Sequence, residues 1–315
     1  MFILLLLAAL LLSVCFVLNK VYEGKAGTTL KAGFFYNCLL GLFASVFFFA
    51  LNGFKFEITP FSVLMSALLT VLVVSYTLIG FKILSSGGIS IYSIFLMSGG
   101  MTVPYIVGLL FLDEEFKLIR TLGLAVLIFA VALSNLREGE KKVDIKKLLM
   151  CIAVFLLNGC VSVVSKLHQI EAVHTTVSTE AFVMLSGIAK FFIAGAAFLV
   201  IAYMEIRRAK GEKLYFAGGE PSENAETLGF KSLINKKVLA SLLPVIVLAA
   251  LVDGVSYYLQ LVGAANLPAS VLYPAVTGAS MIFSVILDFV IFKVKPSKYV
   301  IISACLCFIG TLMFL

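Results

Sequence analysis

The sequence predicts an all-α integral membrane protein in which ten transmembrane helices form two inverted five-helix repeats. The first observation is composition, since 62% of the 315 residues are apolar, 13% are charged, and the mean hydropathy is +1.12. Soluble domains carry about 25% charged residues, so this composition excludes that class. The second is the recurrence of apolar runs about 20 residues long, the length that crosses a bilayer. The third is a shared order of features in the two halves of the chain.

Ten apolar runs are predicted to cross the membrane as helices. Strands of a membrane barrel alternate apolar and polar residues, and these runs do not. The first run has no basic residue before Phe2 and is followed by Lys20, an arrangement that favours a membrane helix over a cleaved signal peptide. In order, the predicted spans are 2–18, 32–51, 60–81, 88–111, 117–136, 148–166, 179–204, 238–261, 267–291 and 298–315.

Lysine and arginine are concentrated in alternate loops, those that follow the odd-numbered spans. By the positive-inside rule these loops face the cytoplasm, which puts both termini outside. The net charge of +7 is therefore explained by topology, with the lipid bilayer and not nucleic acid as the partner. The predicted location is the plasma membrane of a bacterium. The opposite loops hold only Lys55, Lys117, Arg120 and Lys166.

A basic linker, 138–147, divides the chain into two predicted domains of five spans each, 1–137 and 148–315. The first span of each half ends on a similar pattern, closing at Lys20 in one and at Lys166 in the other. An odd number of spans makes the second half enter the membrane in the opposite sense, as in the inverted repeats of many secondary transporters.

A polar insertion at 205–237 interrupts the second half. Loops of this length without their own secondary structure are either functional or disordered. Two interpretations therefore stay open: a solvated cytoplasmic linker, and a regulatory or partner-binding segment.

The segment Leu112-Asp113-Glu114 follows the fourth span, Gly123 lies nine residues after Glu114, and Ala130 and Gly310 occur late in the closing helices. In these motifs the chain resembles the EamA-like ten-helix carriers of the drug/metabolite transporter superfamily. The resemblance extends over nearly the whole length, and it implies a ten-helix inverted-repeat architecture and transport of a small molecule. The second half departs from the pattern, with Val294 near the position that corresponds to Glu114. Members of the family are often drawn with cytoplasmic termini, so the resemblance and the charge bias give opposite orientations and both stay open.

Two charged residues stand deep inside predicted spans, far from the span ends: Lys190 in the seventh and Asp253 in the eighth. A charge at such depth is costly and is kept mainly where it faces a protein interior or a water-filled path. The helical rise puts Asp253 roughly 12 Å and Lys190 roughly 16 Å from the outer ends of these spans, so a pair is predicted. It is either a gate that a proton or charged substrate breaks, or a static pair that fixes helix register.

Polar residues continue along the same helical faces. Ser256, Tyr257 and Gln260 follow Asp253 at i+3, i+4 and i+7, and the ninth span carries a similar stripe of hydroxyl residues. Such stripes line aqueous cavities or join membrane helices to each other. The predicted substrate-binding residues are Lys190, Asp253, Tyr257, Gln260, Tyr273, Thr277, Asn37, Tyr36 and Tyr76.

The spacing of His168, Glu171 and His174 is compatible with metal ligands, but the sequence places them in a solvated connecting loop without a fourth ligand. No metal site and no cofactor are therefore predicted. The pattern GxxxxGK[ST] is missing, which leaves ATP-driven pumping by this chain alone without support.

These observations predict a secondary active transporter that moves a small polar or amphipathic metabolite, an amine, amino acid or related compound, by alternating access. The substrate gradient, exchange or proton coupling would supply the energy. A membrane channel or facilitator pore is the alternative. An intramembrane enzyme is less favoured, because no nucleophile stands with a matching base.

Overall fold

The computed structural model describes residues 1–27, 29–85, 89–134, 145–209, 236–293 and 295–314. Within these ranges the predicted all-helical class is confirmed, and the ten helices match the ten predicted spans in number and order. They are α1 (Phe2–Ala26), α2 (Leu30–Leu51), α3 (Pro60–Ser85), α4 (Ile89–Phe111), α5 (Leu118–Ser134), α6 (Ile145–Ile170), α7 (Thr179–Ala209), α8 (Lys236–Asn266), α9 (Ala269–Phe292) and α10 (Lys298–Leu312).

Eight of these helices, all except α5 and α10, are long and apolar enough to cross a membrane. The chain is thus an integral membrane protein. The two shorter helices have 17 and 15 residues, about 26 and 23 Å at the helical rise, slightly less than the hydrocarbon core of a bilayer. Most of the predicted basic linker, 138–147, and of the polar insertion, 205–237, lies outside the described residues.

Many large apolar side chains face outward, and many of the buried residues are small. Leu64, Leu110 and Phe192 are each at least 65% exposed, whereas Ala249 and Ala250 are fully buried. Lipid tails are as apolar as these side chains, so membrane helices associate through close packing of small residues. The outer surface of the bundle is therefore suited to lipid.

Helix contacts run mainly between the first five and the last five helices. α2 packs on α7, α4 on α9 and α5 on α10. α1 packs on α8 and α9, while α6 packs on α3 and α4. The bundle is consequently held together across its two halves rather than within each.

Three of these contacts bring backbone against backbone at glycines, and one of them is the crossing of α4 and α6 at Gly99 and Gly159. A Cβ atom added at Gly41 in α2 would lie 2.6 Å from the carbonyl oxygen of Gly187 in α7, and one at Gly187 would lie 2.8 Å from that of Gly41. Likewise, a Cβ at Gly123 in α5 would lie 3.1 Å from the carbonyl oxygen of Gly310 in α10. Such approaches admit only glycine, which fixes where these helices cross.

The loops at 52–59, 112–117, 171–178 and 267–268 form what we term the lysine-poor end of the bundle. Two of them are joined there, since the Ser178 N–H donates to Glu57 Oε2 at 3.0 Å and the Ser178 hydroxyl donates to Asn52 Oδ1 at 3.3 Å. The bond from the Ser178 backbone lowers the pKa of the Glu57 carboxyl below its ordinary value of 4.5.

We expect Glu57→Gln to weaken this junction in a pH-dependent way. A lowered folded-state pKa stabilises the protein fully above the unfolded value of 4.5, and the benefit disappears as pH falls through the lowered pKa. At neutral pH the variant should lose at most about 1 kcal/mol, because the carboxylate is partly solvated. Thermal unfolding in detergent should show the two proteins converging in acid. Glu115→Gln, at an exposed ion pair on another loop, is the control and should not change the melting temperature.

Candidate transport site

A cavity of about 220 Å³ lies between α1, α2, α3, α6, α7 and α8. Most of its wall is aliphatic, with side chains such as Leu12, Leu40 and Leu69. Polar side chains come from α7 and α8 only, and they are Ser186, Lys190, Asp253, Tyr257 and Gln260. The cavity is thus polar on one side and apolar on the other.

Lys190 and Asp253 face each other across the polar side, as their spacing in the sequence predicts. Lys190 Nζ lies 3.9 Å from Asp253 Oδ2, and the two side chains are 21% and 31% exposed. Charged hydrogen bonds of this type are usually about 2.7–2.9 Å long, so the pair is loose. The second carboxylate oxygen, Oδ1, accepts a long hydrogen bond of 3.7 Å from Cys15 Sγ in α1. Both charges therefore keep bonding capacity toward the cavity.

The ion pair stands near the middle of its helices. α8 continues to Asn266, five residues beyond the predicted end of its span, which puts Asp253 roughly 20 Å from the lysine-poor end. The sequence prediction of roughly 12 Å was too shallow for this reason. Lys190 lies roughly 16 Å along α7 from Thr179, as predicted.

Tyr257 and Gln260 continue the polar face of α8 into the cavity. The Tyr257 hydroxyl lies 2.9 Å from Ser165 Oγ in α6, and Gln260 Nε2 donates to Ser256 Oγ at 3.3 Å. Ser256 itself donates to the carbonyl oxygen of Ala8 in α1. These bonds orient the polar side chains of the wall. Lys190 and Asp253 are then the lining groups best able to bind a charged ligand.

Ser186 is a cavity residue that sequence reasoning missed. Its side chain is 5% exposed, and within the described part of the chain its Oγ has no hydrogen-bond partner. A buried hydroxyl without a partner costs about 1–3 kcal/mol, a cost that a bound molecule can remove. Ser186 precedes Lys190 by four residues, so the helical periodicity that picked out the α8 stripe would also have found it.

Five of the predicted site residues do not line this cavity. Tyr273 donates to the Ser162 carbonyl oxygen at 2.7 Å, and Thr277 is half-buried in α9. The α2 residues that line the cavity are Leu40, Gly41 and Ala44, and not Tyr36 or Asn37. The Tyr36 hydroxyl donates to Asn19 Oδ1, and the Asn37 amide donates to the Gly33 carbonyl oxygen. Tyr76 packs in an apolar cluster with Tyr92 and Ile83.

His168 does not lie in a solvated loop, and that prediction was wrong. It belongs to the last turn of α6, is 1% exposed, and its ring stacks on Phe182 with centroids 3.6 Å apart. His168 Nε2 lies 2.8 Å from Ser62 Oγ, which supplies the polar partner that a buried imidazole needs. Glu171 lies in the following loop and accepts from the N–H groups of Val173 and His174.

No family model and no curated protein matches the chain. A solved chain described as "Crystal structure of protein" is similar over 99% of this chain and 94% of its own length, with a TM-score of 0.71 and 13% sequence identity. At that identity the similarity shows a shared fold alone.

Proposed function

We propose that the protein is a secondary active transporter that moves a small polar or amphipathic metabolite across the plasma membrane of a bacterium by alternating access. The observation that carries this proposal is the loose ion pair between Lys190 and Asp253, which faces a cavity at mid-membrane depth. Ionisable residues at that depth are expensive and mark substrate or ion pathways. Because the two charged groups are 3.9 Å apart, their mutual contact is weak, and replacing it by contacts to a charged ligand costs little free energy.

The lining indicates which ligands suit the cavity. An ammonium group would bind Asp253, an anionic group would bind Lys190, and the Ser186 hydroxyl would supply one further hydrogen bond. The apolar part of the ligand would contact the aliphatic wall opposite. Amines, amino acids and related compounds have this combination of groups.

The inverted repeat belongs to this proposal, and the packing pattern supports it. Exchanging α1–α5 for α6–α10 in order converts the α1–α8 contact into the α6–α3 contact, and α1–α9 into α6–α4. The contacts α2–α7, α4–α9 and α5–α10 are converted into themselves. The glycine crossings of Gly41 with Gly187 and of Gly123 with Gly310 lie at such self-paired contacts, whereas the crossing of α4 and α6 at Gly99 and Gly159 does not. Resemblance to EamA-like carriers is part of the same proposal.

This arrangement suggests how eight of the ten helices act in alternating access. Helices α2–α4 and α7–α9 move around the cavity, while α5 and α10 pack on each other at Gly123 and Gly310 as a scaffold. A substrate gradient, exchange or proton coupling supplies the energy. With the lysine-rich loops in the cytoplasm, the lysine-poor end faces outward.

A binding screen followed by counterflow tests the function. We expect an amine, an amino acid or a related compound to raise the melting temperature of the purified protein, because binding to the folded state stabilises it. Nucleosides and sugar phosphates complete the screen. In proteoliposomes preloaded with the compound found, labelled compound should enter with saturation and with counterflow. Unsaturated ion currents without counterflow would instead indicate a channel, and no uptake of any screened compound would contradict the proposal.

A further inference from the structure

The two-residue connection between α8 and α9, residues 267–268, is held from both sides by charged groups. On the α8 side, Lys166 Nζ donates to the carbonyl oxygens of Ala264 at 2.6 Å and of Leu267 at 2.7 Å. The Lys166 side chain comes from α6 and is 7% exposed. Its charge complements the negative end of the α8 dipole, and it satisfies carbonyl groups that have no partner within the helix.

On the α9 side, the carboxylate of Glu114 binds the helix N-terminus. Its two oxygens accept from the N–H of Ala269 at 2.5 Å and from that of Ser270 at 2.9 Å. The chain turns back after α4 through Asp113, which has a φ of 52°, and the carboxylate then lies over Gly108. Glu114 thereby joins the first half of the chain to α9.

The same connection is linked to the cavity. Lys166 holds the end of α8, the helix that carries Asp253, Tyr257 and Gln260. Its neighbour Ser165 contacts the Tyr257 hydroxyl at 2.9 Å. A movement that separates α6 from the end of α8 would consequently break both contacts and displace this wall of the cavity.

The lysine-rich end is built differently. Under the proposed repeat, Lys20 corresponds to Lys166. Lys20 binds Asp288 at 3.1 Å in an ion pair whose members are 51% and 45% exposed. Exposed pairs of this kind contribute little to stability, about 0–1 kcal/mol. At the lysine-poor end the lysine is thus buried and binds main-chain carbonyl oxygens, whereas the corresponding lysine at the lysine-rich end forms a solvated ion pair.

We propose that Lys166 and Glu114 form a latch that keeps the cavity closed at the lysine-poor end. The structure is then the state sealed toward the outside, and releasing the latch frees the α8–α9 connection and opens the cavity outward. This inference rests on the proposed transport function and on its predicted topology. It attributes closure of the cavity toward the outside to Lys166 and Glu114, two residues whose contacts lie outside the substrate cavity.

Thiol labelling tests the latch without measuring transport. The Val161→Cys substitution puts a thiol in the aliphatic cavity wall of a chain whose six native cysteines are replaced, and intact cells are treated with a membrane-impermeant maleimide. We expect slow labelling in this background, and labelling at least about tenfold faster when Lys166→Met or Glu114→Gln is added, a change that corresponds to about 1.4 kcal/mol. Lys117→Met, which removes an exposed ion pair to Glu115 on the same loop, is the matched control and should leave the rate unchanged.

Unchanged labelling in variants that fold, as judged by monodisperse elution, would overturn the latch. Rapid labelling from outside before either substitution would do the same. If Lys166→Met does not fold, Glu114→Gln decides alone, since its amide keeps an acceptor oxygen for one of the two N–H groups. Transport by the unmodified chain together with unchanged labelling refutes the latch alone, whereas accelerated labelling without transport of any compound refutes the carrier function alone.

Discussion

Lys190→Met and Asp253→Asn are each expected to reduce substrate transport at least about 100-fold. Each removes one of the two charges that face the cavity, and a factor of 100 corresponds to a lost interaction of about 2.7 kcal/mol. Each also leaves its partner without a counter-charge deep in the bundle, where breaking a buried pair costs about 3–5 kcal/mol. The side chains are partly exposed to the cavity, so the loss of stability should be smaller than that range. Initial rates of uptake into proteoliposomes measure the effect.

The double variant separates a substrate site from a static pair. If the pair only fixes helix register, removing both charges together should restore most of the transport that either single change abolishes. If the charges bind substrate, the double variant stays inactive while its melting temperature recovers. Lys20→Met with Asp288→Asn, at the exposed pair, is the matched control and should change transport less than about threefold. Wild-type rates in both single variants would exclude Lys190 and Asp253 from the site.

Gly41→Val is expected to have the second large effect, a loss of folded protein. A Cβ at this position would lie 2.6 Å from the Gly187 carbonyl oxygen and 2.8 Å from the Phe191 amide nitrogen. Both are backbone atoms of α7, so the two helices must separate. Overpacking of a tight contact costs about 1–3 kcal/mol, and this contact has no flexible side chain that can yield. Thermal unfolding and the fraction of monodisperse protein after detergent extraction measure the result.

Gly24→Ala is the control for this substitution. Gly24 lies in α1, and no atom lies within 4 Å of a Cβ added there. An alanine in that position should leave stability unchanged or raise it by up to about 1 kcal/mol, because it restricts the unfolded chain. An unchanged melting temperature of Gly41→Val would show that α2 and α7 do not need the close approach.

Hydropathy was enough to predict the helices, but their ends depend on contacts that hydropathy does not register. The sixth span was predicted to end at residue 166, whereas α6 runs to Ile170. Its last turns contain Lys166 and His168, which count as polar residues of a loop in a hydropathy profile. In the fold, Lys166 binds carbonyl oxygens at the end of α8 and His168 binds Ser62, so both are buried inside the bundle.

The candidate site was only partly predictable from the sequence. Lys190, Asp253, Tyr257 and Gln260 line the cavity, because unusual charge and helical spacing both report the inward face of a membrane helix. Asn37 was chosen because an amide in hydrocarbon needs a partner, and it finds one in its own helix, at the Gly33 carbonyl oxygen. Such local bonds satisfy a polar group without bringing it into a cavity, and no sequence pattern distinguishes the two outcomes.

Under the proposed transport function, three glycines in the cavity wall also bear on selectivity. Gly41, Gly187 and Gly254 all line the cavity, so part of its wall is bare main chain. Main chain within a helix has no rotamers and cannot swing aside for a bulkier guest. Under the same proposal, this part of the wall sets a fixed limit on ligand width, and adjustment to different ligands depends on the side chains of Leu12, Leu40 and Leu69. A methyl group at Gly41 or Gly187 would meet the facing helix, and one at Gly254 would meet Phe48, so the bare wall exists only while these positions are glycine.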